Sequence, residues 1–257
     1  MSESVMSDIK KGHIHKLLST SRRVDGRALD QYREISIQTN YIESAQGSAR
    51  VKLGNTDVLV GVKMEVGSPF PDTPDKGVLT TNAELIPMAS PNFESGPPDE
   101  NAIELARVID RGIRESEMID LHKLCIKTGE EVWINFVDIY VLDYDGNLFD
   151  ACFLGAVAAL NSTIVPAKEN DKGEDYPMPL RRLPIQTTAV KIENSILFDP
   201  TLDEEKVADA RLTVTTDENG DLRAMQKGLS GAFTLDEVKQ IIDMSLRLSK
   251  DLRNLIG

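Results

Sequence analysis

Residues 132–160, VWINFVDIYVLDYDGNLFDACFLGAVAAL, contain the pattern that decides the fold. Residues 132–142 are rich in Val, Ile, Trp and Tyr, a composition typical of a strand. Residues 143–147, DYDGN, predict a tight turn. Residues 150–160 are apolar on nearly every side, which is typical of a helix buried on all faces. The segment therefore predicts a domain in which a sheet and a buried helix share one sizeable core.

Shorter patterns on both sides of this segment predict the other elements. Asp99 is a good N-cap for a helix over 99–117, and Thr234 with Glu237 forms a capping box that begins the last helix. The remaining predicted elements are a helix within 1–21, with Ile9, Ile14, Leu17 and Leu18 on one side, and strands at 35–37, 47–53, 57–66, 78–88, 187–192, 195–198, 211–216 and 222–227. Loops rich in Pro, Gly or charge separate them at 67–77, 90–98 and 167–182, and the turn at 54–55 predicts a hairpin. The order predicts a mixed α/β or α+β fold in a single domain, 1–257, without a linker.

Charge and composition limit the possible functions. The chain has 257 residues and a formal net charge of −13, from 42 acidic and 29 basic side chains. Nucleic-acid-binding domains usually carry a basic excess, so any RNA contact must come from a local patch or from a surface shared with a partner. No apolar run of about 18 residues is present to span a membrane, and the N-terminus lacks the apolar core of a secretory signal. With only Cys125 and Cys152, we expect a cytoplasmic protein without a membrane partner.

The acidic and metal-ligating residues give no strong signal of a catalytic site. The three histidines and two cysteines lack zinc-type spacing, and the chain has no Walker loop or dinucleotide fingerprint. Residues 199–205, DPTLDEE, carry four carboxylates that could bind magnesium or act as a general acid. Charge runs usually lie on the surface, and we therefore favour a solvated acidic turn.

Two groups of arginines are more informative. Arg107, Arg111 and Arg114 lie within about 60° of arc on the 99–117 helix, opposite its apolar stripe. Aligned guanidinium groups suit phosphates, whereas neighbouring acids at pairing distance favour an ordinary salt-bridged face. A second basic group lies in a turn-like segment and leaves the same two alternatives open; it comprises Arg22, Arg23, Arg27 and Arg33.

Four blocks of the sequence resemble the RNase PH family. They are RRVDGRALDQYR at 22–33, GSARVKLGNTDVLVGVK at 47–63, GPPDENAIELARVIDR at 96–111 and the segment 132–160. The last two resemble the non-catalytic RNase-PH-like subunits of the archaeal exosome. The resemblance implies the fold of the second domain of ribosomal protein S5, with an N-terminal helix at 1–21 and two similar halves at 22–166 and 167–257.

The resemblance also implies partners and a reaction. In that complex three such subunits alternate with three catalytic ones in a hexameric ring, a trimer of heterodimers. The ring degrades single-stranded RNA from the 3′ end by phosphorolysis, and proteins with S1 or KH domains cap one face. Arginines of the first long helix grip the RNA backbone, which implies the same role for Arg107 and Arg111, and for Arg114 with a looser match.

The chain departs from the catalytic members of the family at two places. Where these carry D-G-G-T/S-R to hold phosphate, this chain has Leu148 and Phe149 in place of the hydroxyl and the guanidinium. Where they carry the second acid of E-D-x-x-G-x-A-D, it has Arg211, although Glu205 keeps a carboxylate. We therefore expect no catalytic residue, no metal ligand and no cofactor in this chain.

Three hypotheses follow from these residues. In the first, the chain is a non-catalytic ring subunit that supports a catalytic partner and contributes arginines to RNA binding. In the second, it is itself an active phosphate-dependent 3′–5′ exoribonuclease that uses Glu205 as an acid. In the third, it is a pure scaffold whose arginines form only surface salt bridges.

Overall fold

The computed structural model describes residues 2–256, with side chains from Lys10 onward. The helices are α1 (Ser2–Leu18), α2 (Glu100–Glu115), α3 (Leu148–Asn161), α4 (Leu202–Val207) and α5 (Leu235–Arg253). The strands are β1 (Ile35–Thr39), β2 (Gly47–Leu53), β3 (Thr56–Gly67), β4 (Val78–Leu85), β5 (Cys125–Lys127), β6 (Glu131–Asp143), β7 (Ile164–Val165), β8 (Tyr176–Pro177), β9 (Ile185–Ile192), β10 (Ser195–Phe198), β11 (Ala210–Thr216) and β12 (Leu222–Gly228). The predicted mixture of α and β structure is confirmed.

The first sheet has the strand order β1-β2-β3-β6-β4, with β5 paired to β6. Its pairs are antiparallel except β4 with β6, which is parallel. β2 and β3 form the predicted hairpin, and Leu53 pairs with Thr56 across the Gly54-Asn55 turn. Side chains alternate across these strands, so that Val58, Val60 and Val62 all enter the core.

The second sheet has the order β10-β9-β11-β12, with every pair antiparallel. One face packs on α5, where Ala189, Leu212 and Ile241 join one buried cluster. The opposite face meets α3, whose Asp150 bonds Thr188 of β9. α2 and α3 therefore lie between the two sheets, because they also pack against strands of the first sheet.

α3 is the central element of the core, as its sequence predicts. All its residues from Leu148 to Leu160 are buried, because it contacts a sheet on either side. It lies so close to α2 that a β-carbon on Gly112 would overlap the ring of Phe153. Glycine at position 112 is what permits this approach between the two helices.

The N-terminal helix packs on the second sheet. Ile14 and Leu18 are buried against Val190, Ile192 and Leu197. For these two residues, the prediction that they lie on the apolar side of the helix is confirmed. Leu17 is only partly buried, and the side chain of Ile9 lies outside the described residues. The helix ends at Leu18 rather than at residue 21.

The favoured interpretation of residues 199–205 as a solvated acidic turn is wrong. The segment contains the short helix α4, with Thr201 and Glu204 in a capping box. Asp199 is fully buried, and Glu204 is 1% exposed. Only the tertiary structure supplies the cations that make this burial possible, and they come from the segment 22–33.

Asp199 links three separate parts of the chain. Its carboxylate accepts hydrogen bonds from Arg27 at 2.7 Å, from Arg33 at 2.7 and 2.9 Å and from the amide of Asn147 at 2.9 Å. Burial opposes ionisation of this carboxyl, but the hydrogen bonds and charge of Arg33 outweigh it and hold the pKa of Asp199 below its ordinary value. Beside it, Arg23 forms a buried bidentate pair with Glu204.

The turn before α3 is fixed by the same network. Gly146 has φ +90°, and a β-carbon there would lie 2.5 Å from the backbone of residues 200–202. Asn147, also left-handed at φ 55°, donates to both Asp150 and Asp199 through its amide. The N-terminus of α3 is therefore held against α4, and this contact determines the shape of the pocket described below.

Replacing Asp199 by Ala should lower the free energy of unfolding by about 3–5 kcal/mol, because two nearly buried guanidinium groups lose their carboxylate. Urea unfolding followed by circular dichroism measures the loss. Asp203→Ala is the matched control, since Asp203 is 45% exposed and pairs only with the exposed Lys10; it should cost less than about 1 kcal/mol. Equal losses in the two variants would contradict the role of Asp199.

Candidate RNA-binding surface and the adjoining pocket

The arginine surface, which comprises Arg107, Arg111 and Arg114, lies on the exposed side of α2. Asp99 caps this helix as predicted, since its side chain accepts a hydrogen bond from the Ala102 N–H at 2.8 Å. The opposite side of the helix is buried, and its residues are Ala102, Leu105, Val108, Ile109, Gly112 and Ile113. Burial of that stripe fixes the rotation of α2 and presents the three arginines outward.

The three guanidinium groups have different surroundings. Arg114 donates to Asp110 at 2.9 and 3.0 Å and to the carbonyl of Leu79, so it is held against the first sheet. Arg111 reaches the other way and donates to Gln226 of β12 at 2.9 Å. Arg107 has no hydrogen bond or ion pair with any side chain among the described residues. Arg107 and Arg111 thus keep an unneutralised positive charge, whereas Arg114 is paired.

A shallow depression of about 280 Å³ lies beside these side chains, and its lining is Thr81, Ala106, Arg107, Asp110, Arg111, Arg114 and Glu115. Two unneutralised guanidinium groups four residues apart on a helix can bind adjacent phosphates of one strand. Such contacts position a nucleic-acid backbone without reading its sequence.

The second basic group is not an anion-binding surface. Arg23 is 3% exposed and bound to Glu204, while Arg27 and Arg33 are bound to Asp199. Of the two alternatives for this group, internal salt bridging is therefore correct for these three arginines. Arg22 alone of the four remains exposed.

A second feature, the Glu205 pocket, lies between the N-terminus of α3, α4 and β11. The Glu205 carboxylate accepts a hydrogen bond from the Tyr144 hydroxyl at 2.7 Å and another from the backbone N–H of Asn147 at 2.8 Å. Burial raises the pKa of Glu205 above its ordinary value, although Tyr144, Asn147 and the charges of Arg211 and Arg33 all oppose that rise. The Glu205 carboxylate thus occupies the N-terminus of α3, a position where an external anion would otherwise bind.

Arg211 lies in the same pocket. Its guanidinium donates to Glu104 of α2 at 2.6 Å and stacks on the ring of Phe149, with 4.0 Å from Cζ to the ring centroid. Leu148 and Phe149 are themselves buried, at 9% and 7% exposed. The arginine is therefore fixed between an acid and an aromatic ring, and neither of the two residues after Asn147 offers a polar side chain.

These contacts limit what the Glu205 pocket can bind. Part of it is a cavity of about 220 Å³ lined by Phe93, Tyr144, Phe149, Glu205 and Arg211, among others. The one arginine is already paired, and the Asn147 N–H is already bonded to Glu205. Within residues 2–256, no group of three or more His, Cys, Asp or Glu side chains could hold a metal ion.

Three residues of these two features were not predicted from the sequence. Tyr144, Glu104 and Gln226 are each separated by at least 61 residues from the partner that they bind, respectively Glu205, Arg211 and Arg111. From its spacing, Glu104 is only one of the acids at pairing distance from the α2 arginines. No local pattern reports contacts over such separations, so only the fold could identify them.

Residues 31–166 match the first domain of the 3′ exoribonuclease family, RNase PH, and residues 182–247 match its second domain. Together the two matches cover most of the chain, and the chain therefore belongs to the RNase PH family. The fold expected from the resemblance is confirmed. None of the helices described between residues 2 and 256 is long and apolar enough to cross a membrane.

Within that family the chain is similar to proteins named exosome complex component Rrp42. The protein of that name from Thermoplasma volcanium is 54% identical over 252 residues, which cover 98% of this chain and 96% of the relative. Among solved structures, a chain of the Archaeoglobus fulgidus exosome with RNA bound to the active site has 51% identity and a TM-score of 0.96, covering 98% of this chain and all of that one. A chain of an archaeal exosome core has 48% identity and a TM-score of 0.92, covering 100% and 99%.

Replacing Arg211 by Met should destabilise the protein more at pH 8 than at pH 5. Without this cation the pKa of Glu205 rises further above its value in the unfolded chain, so the folded state loses stability as the pH increases through that range. We expect a loss of about 3 kcal/mol at pH 8 and a smaller one at pH 5.

Urea midpoints at the two pH values measure this difference. Adding Glu205→Gln to the Arg211→Met variant should abolish the pH dependence, because the titrating group is gone. If the Met variant lost the same stability at both pH values, Arg211 would not be balancing the charge of Glu205.

Proposed function

We propose that this chain is a non-catalytic ring subunit of an archaeal exosome, the phosphorolytic 3′–5′ RNA-degrading complex. It would alternate with a catalytic RNase-PH-like subunit in a hexameric ring, three copies of each, with S1- or KH-domain proteins on one face. Support comes from the relatives named exosome complex component Rrp42 and from the similarity to chains of archaeal exosome structures. A cytoplasmic location and a single RNase-PH-like domain over 1–257, with halves at 22–166 and 167–257, belong to the same proposal.

The observation that carries the non-catalytic part is the pairing in the Glu205 pocket. A phosphorolytic site must bind inorganic phosphate, a dianion, beside the 3′ end of the RNA. In this chain, however, the Asn147 N–H is bonded to Glu205 and the Arg211 guanidinium to Glu104. The buried Leu148 and Phe149 side chains cannot hold an anion. A dianion in this pocket would therefore lie beside the carboxylates of Glu104 and Glu205, with the charge of Arg211 already balanced by Glu104.

The RNA-binding part rests on α2. Arg107 and Arg111 are exposed and carry no paired acid, so they can each contact a phosphate. Arg114 remains a candidate only if RNA displaces it from Asp110. A chain with a net charge of −13 can bind RNA in this way because the contact is confined to a local cationic surface on one helix.

The isolated chain should release no nucleoside diphosphate from a 5′-labelled RNA supplied with inorganic phosphate and magnesium. The reason is the occupied pocket, and chromatography of the products measures the release. Circular dichroism confirms that the chain is folded, and the ring reconstituted with the catalytic subunit is the positive control. Phosphorolysis by the folded chain alone would establish the second hypothesis, that it is an enzyme in its own right.

Replacing Arg107 and Arg111 together by Ala should weaken RNA binding by the assembled ring and lower its processivity. Two lost phosphate contacts per single strand should make the slope of log K against log salt shallower by about 1.4. Base preference should not change, since these contacts do not read bases.

Arg247→Ala on α5 is the matched control, because Arg247 is also exposed, its ion pair with Asp30 is long at 3.3 Å, and it otherwise contacts only the sulfur of Met244 among the described residues. Unchanged degradation and an unchanged salt slope in the double variant would exclude the RNA-binding role. The chain would then be a pure scaffold whose arginines do not contact RNA.

A further inference from the structure

Among the residues that the structure describes, Gln226 is the one hydrogen-bond partner of the Arg111 guanidinium. Its side-chain carbonyl accepts a hydrogen bond from Arg111 Nη1 at 2.9 Å across 115 positions of sequence. We propose that Gln226 is a positioning residue for Arg111, so that the edge strand β12 contributes to RNA binding through this one arginine. This inference rests on the proposed function of the α2 arginines.

The fold places Gln226 in this position for a definite reason. β12 is an edge strand of the second sheet, and Gln226 pairs with Thr213 of β11. Two residues further along β11, Thr215 lies on the same face, and its hydroxyl would be 3.3 Å from a β-carbon on Gly112 of α2. This face of β11 and β12 is thus packed against α2, and it directs the Gln226 amide toward the helix.

An uncharged acceptor is what such a position requires. The Gln226 carbonyl uses one of the five N–H donors of the guanidinium and leaves its positive charge intact. Arg114 shows the contrasting case, because Asp110 orients it and neutralises it at the same time. Gln226 can therefore orient Arg111 while leaving its other donors and its charge available for a phosphate.

Two substitutions separate these effects. Gln226→Glu places a carboxylate at the same distance, so it should hold and neutralise Arg111 and weaken RNA binding as much as Arg111→Ala does, about three- to tenfold at moderate salt. Gln226→Met keeps the size of the side chain but removes the acceptor, and it should cost only about two- to threefold. Gln240→Glu, on the exposed side of α5, is the matched control for the added charge and should bind like the wild type.

The measurement is equilibrium binding of a 5′-labelled oligoadenylate to the ring, over a series of salt concentrations. The ring contains this chain and its catalytic partner, and thermal unfolding checks that each variant is folded. In the Arg111→Ala background, Gln226→Met should have no further effect, because Gln226 acts through Arg111.

Two results would overturn the positioning role. One is that the losses from Arg111→Ala and Gln226→Met multiply, which would mean that residue 226 acts on the RNA independently. The other is that Gln226→Glu binds like the wild type while Arg111→Ala does not. If Arg111→Ala itself has no effect, the RNA-binding part of the proposed function fails, and this inference fails with it.

Discussion

The buried carboxylate of Asp199 is the constraint on which the arrangement of this protein depends. A buried charge is tolerated only when it is paired and hydrogen-bonded, and the partners of Asp199 come from the segment 22–33 and from the turn before α3. These parts and the start of α4 must therefore take up their positions together. The same contacts hold the N-terminus of α3 beside α4, where Glu205 accepts the N–H of Asn147.

The same kind of internal pairing closes the Glu205 pocket. Glu205 satisfies an N–H at the start of α3, and Arg211 is held between Glu104 and Phe149. The charge of Arg211 is thus balanced by Glu104, and the carboxylate of Glu205 repels phosphate from the start of α3. On α2 the opposite holds, because Arg107 and Arg111 face solvent without an acid. This contrast between an internally paired pocket and an exposed cationic helix is the basis of the proposed function.

Local patterns in the sequence predicted most of the regular structure. The strand β6, the turn after it and the buried helix α3 were recognisable because composition and periodicity are properties of neighbouring residues. The N-cap of α2 and the capping box of α5 were visible for the same reason. The helix α4 was not predicted, because its acidic residues are typical of a surface turn. Their burial depends on arginines more than 165 positions away along the chain.

The sequence by itself determined the fold class, the order of the elements, the exposed arginines of α2 and the loss of polar residues at Leu148 and Phe149. Each of these is a matter of residue type and short-range spacing. The tertiary structure alone decided which charges are free. It buried Arg23 and Arg33 in ion pairs and turned Arg111 toward Gln226, because a charge is neutralised by whatever the fold brings within a few ångströms, and sequence distance carries no information about that.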